Sequence, residues 1–215
     1  MIRERDPEPS YYLWRAKIVE PPPLERWGSI TGECVHSLRS ALDHTANALV
    51  KIRRPNTEFS EFPIFKDRSR WDSDHMKKLP GVDPKVLTQA KWLQPYRRGG
   101  EHDPLWLIHH LDIVDKHRRL NLVSPSVTST TWATDGGGIE DVELPVGPFK
   151  DGTAVGRFKM VPTRGAPPMH VQTDFTFDVA FGEGEPLTRQ PVMLTLDNML
   201  AYASFVVTRF DRFLA

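Results

Sequence analysis

The chain has 215 residues, between one large domain and two small ones, and is long enough to bury roughly 70% of the surface its unfolded form exposes. Lys and Arg total 28 and so do Asp and Glu. That balance gives no global field for steering onto nucleic acid or an anionic membrane, and leaves a polyanion only a local patch to bind. The single cysteine, Cys34, excludes an internal disulfide, and no stretch approaches the roughly 20 apolar residues of a membrane-spanning helix. The charged start MIRERDPEPS has no apolar core of signal-peptide length, so a reducing, cytoplasmic setting is expected. Cys34 reads as a small buried hydrophobe rather than a nucleophile.

In chain order, Tyr11 to Val19 is aromatic and β-branched and reads as a strand, closed by Pro21, Pro22 and Pro23. A helix follows from about Gly32 to Ile52, because Val35, Leu38, Leu42, Thr45, Leu49 and Ile52 recur at spacings of three and four. Residues 56 to 81 read as mostly irregular, pinned to the core by Phe59, Phe62, Ile64, Phe65 and Trp71. Asp83-Pro84 and Asp103-Pro104 are helix-start signals, predicting helices to Gln94 and to about Leu120. From Asn121 to Glu183 the texture turns to strands, with Phe175, Phe177, Val179 and Phe181 alternating toward a core. Gly136-Gly137-Gly138 reads as a turn, since no helix follows to make a phosphate loop. A last helix spans about Gln190 to Phe213. The fold class is α+β in a single domain, a helical bundle core (about 24–120 and 190–214) with an inserted antiparallel β-sheet (about 121–185) and a C-terminal helix.

Three clusters carry candidate chemistry. In LRSALDH, Arg39 and Asp43 stand four apart at one edge of the apolar stripe and can pair. His44 lies about 140° round from Arg39, facing another element or subunit. In HHLDIVDKHRR, His110 and His117 share a face with Leu107 and Val114, while Asp112, Asp115 and Arg119 lie on another. His110 and His117 sit about 10.5 Å apart along the axis, too far to share one metal on a straight helix. The third cluster, Trp92, Tyr96, Arg97 and Arg98, could stack on bases or hold phosphate, and otherwise reads as a helix end with surface arginines.

LRSALDH, EFPIF (Glu61 to Phe65), LQPY (Leu93 to Tyr96) and DKHRRL (Asp115 to Leu120) together resemble a widespread bacterial family of uncharacterised proteins, over most of the chain. A looser resemblance, on the Arg39/His44 spacing, is to HEPN-type RNases, which cut RNA without a metal across two facing protomers. That resemblance implies His44 as the acid–base group, Arg39 on the scissile phosphate and Asp43 orienting Arg39. His117 and Arg118 would complete the pocket. It implies RNA as partner, a homo-oligomer and no cofactor. Two other readings stay open. One is a non-catalytic binding or assembly module in which Arg39, Asp43, Asp115 and Arg118 form a network between helices. The other is a metal-dependent hydrolase using His44, His110, His117 and Asp115.

Overall fold

Proline and glycine set the limits of most elements. The computed structural model describes residues 2–5, 11–144, 149–165, 170–184 and 187–214. Two strands, β1 (Ile2–Arg5) and β2 (Tyr11–Arg15), precede α1 (Leu24–Lys51). Then come α2 (Arg68–Lys78), α3 (Pro84–Trp92), two short 3-10 turns (Pro95–Arg97 and Gly100–His102) and α4 (Pro104–His117). Four strands follow, β3 (Leu122–Asp135), β4 (Gly137–Glu143), β5 (Ala154–Pro162) and β6 (His170–Phe181), before α5 (Val192–Asp211). The class is α+β, with small antiparallel sheets inserted ahead of a C-terminal helix. Among the described residues no helix is long and apolar enough to cross a membrane.

The chain divides into two compact units, one of Met1–Arg26 with Asn121–Met193 and one of Trp27–Leu120 with Leu194–Ala215. Its zero net charge is unevenly divided between them. The helical unit carries 18 Lys and Arg against 14 Asp and Glu, a net +4, and the β unit carries 10 against 14, a net −4.

In the helical unit, α1 starts eight residues before the expected Gly32, directly after the proline run. Val35, Leu42, Ala46 and Val50 of α1 are wholly buried. Burying a side chain such as Leu42 contributes about 1.5–3 kcal/mol relative to leaving it in water. Gly32, the expected helix start, and Gly28 lie inside the helix, where α4 and its continuation approach closely. A Cβ on Gly28 would sit 2.6 Å from the Leu120 carbonyl oxygen, and one on Gly32 would collide with the Asp115 carboxylate. Gly28→Ala is therefore expected to destabilise by about 1–3 kcal/mol, as backbone must move to admit the methyl. That outweighs the helix propensity gained, up to about 1 kcal/mol. Urea unfolding checks it, and a stabilised variant would mean the close approach is absent in solution.

The stretch expected to be irregular contains α2. Its only buried residue is Trp71, so no apolar stripe marks it in sequence. Ion pairs Arg68–Asp72, Arg70–Asp74 and Lys77–Asp74 lie along its surface. Phe62, Ile64, Phe65 and Trp71 are buried as expected, whereas Phe59 is 65% exposed and pins nothing. Asp83 and Asp103 cap α3 and α4, accepting from the backbone N–H groups of Lys85 and Leu105, with proline next in each case. α4 ends at His117, three residues before the expected Leu120. In α5, Met199, Ala203, Val206 and Phe210 are buried, while Leu194, Leu200 and Phe205 are exposed. Cys34 is likewise exposed, not buried.

In the β unit the expected single sheet is, among the described residues, two. One has the order β1-β2-β5-β4 and the other is the pair β3-β6, all antiparallel. Pairing of β2 with β5 joins Tyr11 to Lys159 and Leu13 to Arg157, a connection no local pattern announces. Gly136 is a turn residue with φ 72°, but Gly137 and Gly138 already belong to β4. Phe158 is fully buried, with Tyr12 and Trp14 stacked on it and Trp132 meeting it edge-on at 5.2 Å. In β6, Phe175 packs beside Trp14 and Phe181 is buried, but so is Ala180, which breaks the alternation. The side chain of Phe177 lies outside the described residues.

Candidate functional site

The segment 56–65 has neither helix nor strand, yet residues 62–65 are buried. Its backbone polar groups need partners, since an unpaired buried amide or carbonyl costs about 1–3 kcal/mol. The motif residues supply them. Asp43 Oδ1 accepts the backbone N–H of Phe62 at 2.8 Å, and Arg39 Nη2 donates to the Phe62 carbonyl at 3.0 Å. Gln94, fully buried, accepts the N–H of Phe65 at 3.0 Å and donates to the Pro63 carbonyl at 2.8 Å. LRSALDH and LQPY thus meet at EFPIF and hold its main chain from both sides.

Ion pairs tighten the α1 side of this clamp. Arg39 Nη2 also donates to Asp43 Oδ1 at 2.7 Å and to Glu61 Oε2 at 3.2 Å, and Glu61 in turn accepts from Lys78. The Arg39 side chain is only 5% exposed. Burial raises the Asp43 carboxyl above the usual carboxylate range, against the lowering pull of Arg39 and of the Phe62 N–H. Arg39 Nη1 is buried with no hydrogen-bond partner among the described residues, as is Nδ1 of His109 on α4. Burial, then the positive charges of Arg39 and Lys78, lower the His109 imidazole to about 4, so it is neutral at pH 7.

A second polar group lies between α1 and α4. Asp112, buried, accepts from Lys116 at 2.6 Å and pairs with Nδ1 of His36 at 2.8 Å. Burial works to raise its carboxyl, but the bonds from Lys116 and His36 outweigh that and hold it low. Asp115, pressed against Gly32, is shifted the other way by burial and by the Asp112 charge.

Of the residues singled out in sequence, Arg39 and Asp43 come together. His44 is exposed, whereas the Arg39 guanidinium is buried. Asp115 is half-buried beside Gly32. His117 is the exposed last residue of α4, and Arg118 is the exposed, extended residue that ends the helix. His110 tilts against Trp106 at 5.8 Å. Among the described residues no three His, Cys, Asp or Glu side chains converge as metal ligands. Sequence reasoning passed over Glu61, Lys78, Gln94, His36 and His109 as individuals. Glu61 and Gln94 did stand inside the quoted motifs, and that was the available signal. Compared with family models, with curated proteins and with solved structures, the chain has no match.

Proposed function

We propose that this protein is a non-catalytic binding module and that Arg39, Asp43, Glu61 and Gln94 are struts of its framework. One observation carries the reading: a single nitrogen of the sealed Arg39 guanidinium serves two carboxylates and the Phe62 carbonyl. A group holding a scissile phosphate needs its N–H donors aimed at open space. In Arg39 one nitrogen is committed to three acceptors and the other, Nη1, is sealed from solvent, so neither is aimed at open space. His44, being exposed, takes no part in that set of bonds. Buried polar networks of this kind specify a packing arrangement without performing chemistry.

The test is incubation of the purified protein with mixed cellular RNA, with EDTA and with added divalent metal, beside Arg39→Ala and His44→Ala. The expected result is intact RNA in every lane. His44→Ala should change stability by no more than about 0.5 kcal/mol, as for an ordinary surface position. Cleavage that survives EDTA and vanishes in a folded His44→Ala variant would instead establish the HEPN-like, metal-independent RNase. Cleavage that requires metal would establish a hydrolase.

A further inference from the structure

A groove of about 950 Å³ opens in the helical unit between the end of α1, α3 and the end of α5. Leu49, Ile52, Val86, Trp92 and Phe213 are among its apolar lining residues. Ile52 is 57% and Trp92 49% exposed, so two large apolar side chains of the groove stay open to solvent. Arg53, Lys85, Arg209 and Arg212 line it against one acid, Asp83. Asp83 is engaged by Arg53 at 2.6 Å, so the remaining three cations face the opening without a carboxylate from the lining.

The arginines are held in a particular way. The Arg209 guanidinium lies 5.9 Å from the Trp92 ring centre and 5.6 Å from that of Phe205. Arg212 lies 4.7 Å over Phe213 and donates to Gln89. Rings beneath a guanidinium fix its plane and leave N–H groups on its edge for other acceptors. Such a plane is also a stacking surface for a nucleobase. Arg98, the arginine that sequence placed next to Trp92, also lies over that ring at 5.6 Å, but it is tied to Tyr202 at 4.8 Å and to the buried Asp103 at 3.3 Å. Of the three remaining cations, Lys85 belongs to α3, while Arg209 and Arg212 come from the end of α5, more than 100 residues further along the chain.

We propose that this groove binds single-stranded nucleic acid, with phosphates on Arg209, Arg212 and Lys85 and bases against Trp92 and the arginine planes. The proposal rests on the binding-module reading and gives that module its ligand. Charge complementarity supports it, because the groove belongs to the unit with net charge +4. An acidic peptide would use the cations but not the exposed rings. A duplex hides its base faces, so it cannot use the stacking surfaces.

The experiment is fluorescence anisotropy of the full chain with a short labelled single-stranded RNA, titrated from about 50 to about 200 mM salt. Unlabelled single-stranded DNA, duplex RNA, heparin and polyglutamate serve as competitors. Three phosphate contacts predict a slope of log K against log salt near −2, at about −0.7 per contact. Arg209→Gln with Arg212→Gln should bring the slope to about −0.7 and weaken binding at least about tenfold. Trp92→Ala should weaken it about tenfold with the slope unchanged. Lys77→Gln, on the surface of α2, should do neither, and circular dichroism checks that each variant folds. Unlabelled single strands should displace the probe, and duplex and heparin should not at equal charge. Absence of binding, indifference to both groove variants, or preference for polyglutamate or heparin would overturn the proposal. A bound strand that is then cut would overturn the binding-module reading and leave the groove standing, while failure to bind with no cleavage does the reverse.

Discussion

Arg39→Ala is expected to cost about 3–5 kcal/mol, the usual penalty for removing one member of a buried ion-pair set. The loss has three parts. Asp43 and Glu61 would each lose the guanidinium between them, and the Phe62 carbonyl would lose its donor. Asp43, already raised by burial, would rise further once the lowering pull of Arg39 is gone. In a chain of this size the midpoint of thermal unfolding should fall by roughly 10 °C. Arg39→Lys should fall between wild type and alanine, since an ammonium supplies charge but no planar fork. Thermal and urea melts at pH 7 measure this. A loss below about 1 kcal/mol in Arg39→Ala would show the network to be dispensable, and the framework role of Arg39 would go with it.

Acid should destabilise the protein between pH 6.5 and about 4 through His109. Its folded-state value of about 4 lies below the unfolded value of 6.5, so the unfolded chain binds the extra proton first. The stabilising contribution is therefore complete above pH 6.5 and is lost as pH falls through the window, to a total of about 3 kcal/mol. The charged groups acting on His109 are Arg39, Lys78, Glu61 and Asp112, and the first two oppose its protonation. Asp43, Asp103 and Asp115 have raised values, and their contributions run in the opposite direction, improving stability as each takes up its proton. His109→Phe separates the two effects. The variant should lose the downward slope between pH 6.5 and 4.5 while wild type keeps it, as read from melting temperature across that range. Parallel curves for the two proteins would place the acid sensitivity elsewhere.

The residues Arg39 and Asp43 show how far a helical wheel reaches. A separation of four and a shared edge predicted their contact, and they are 2.7 Å apart. The same wheel could not show that Glu61 joins Arg39 to Lys78, or that His109 feels the Arg39 charge, because those residues arrive from an irregular segment and two other helices. Motif order was informative in a different sense. EFPIF and LQPY stood out as words without a period, and their common purpose is to satisfy buried backbone that has neither ladder nor helix to do so.

What the sequence determined by itself was the kind of element at most positions. Capping aspartates before prolines, the stripe through Val35 and Leu42, and the β-branched run after Asn121 are local signals, and each element they mark is present. Tertiary structure alone decided the rest. α2 is held by one tryptophan and surface charge, so it has no stripe to read. Gly28 and Gly32 punctuate nothing, because the space they leave is filled by residues of a segment some 90 positions away. The balance of charge over the whole chain hid a +4 unit and a −4 unit, since a sum over sequence discards position. The placement of Arg209 beside Trp92 depended likewise on where α5 packs. Local interactions choose helix or strand residue by residue, while sites are made by contacts between segments that the chain order keeps far apart.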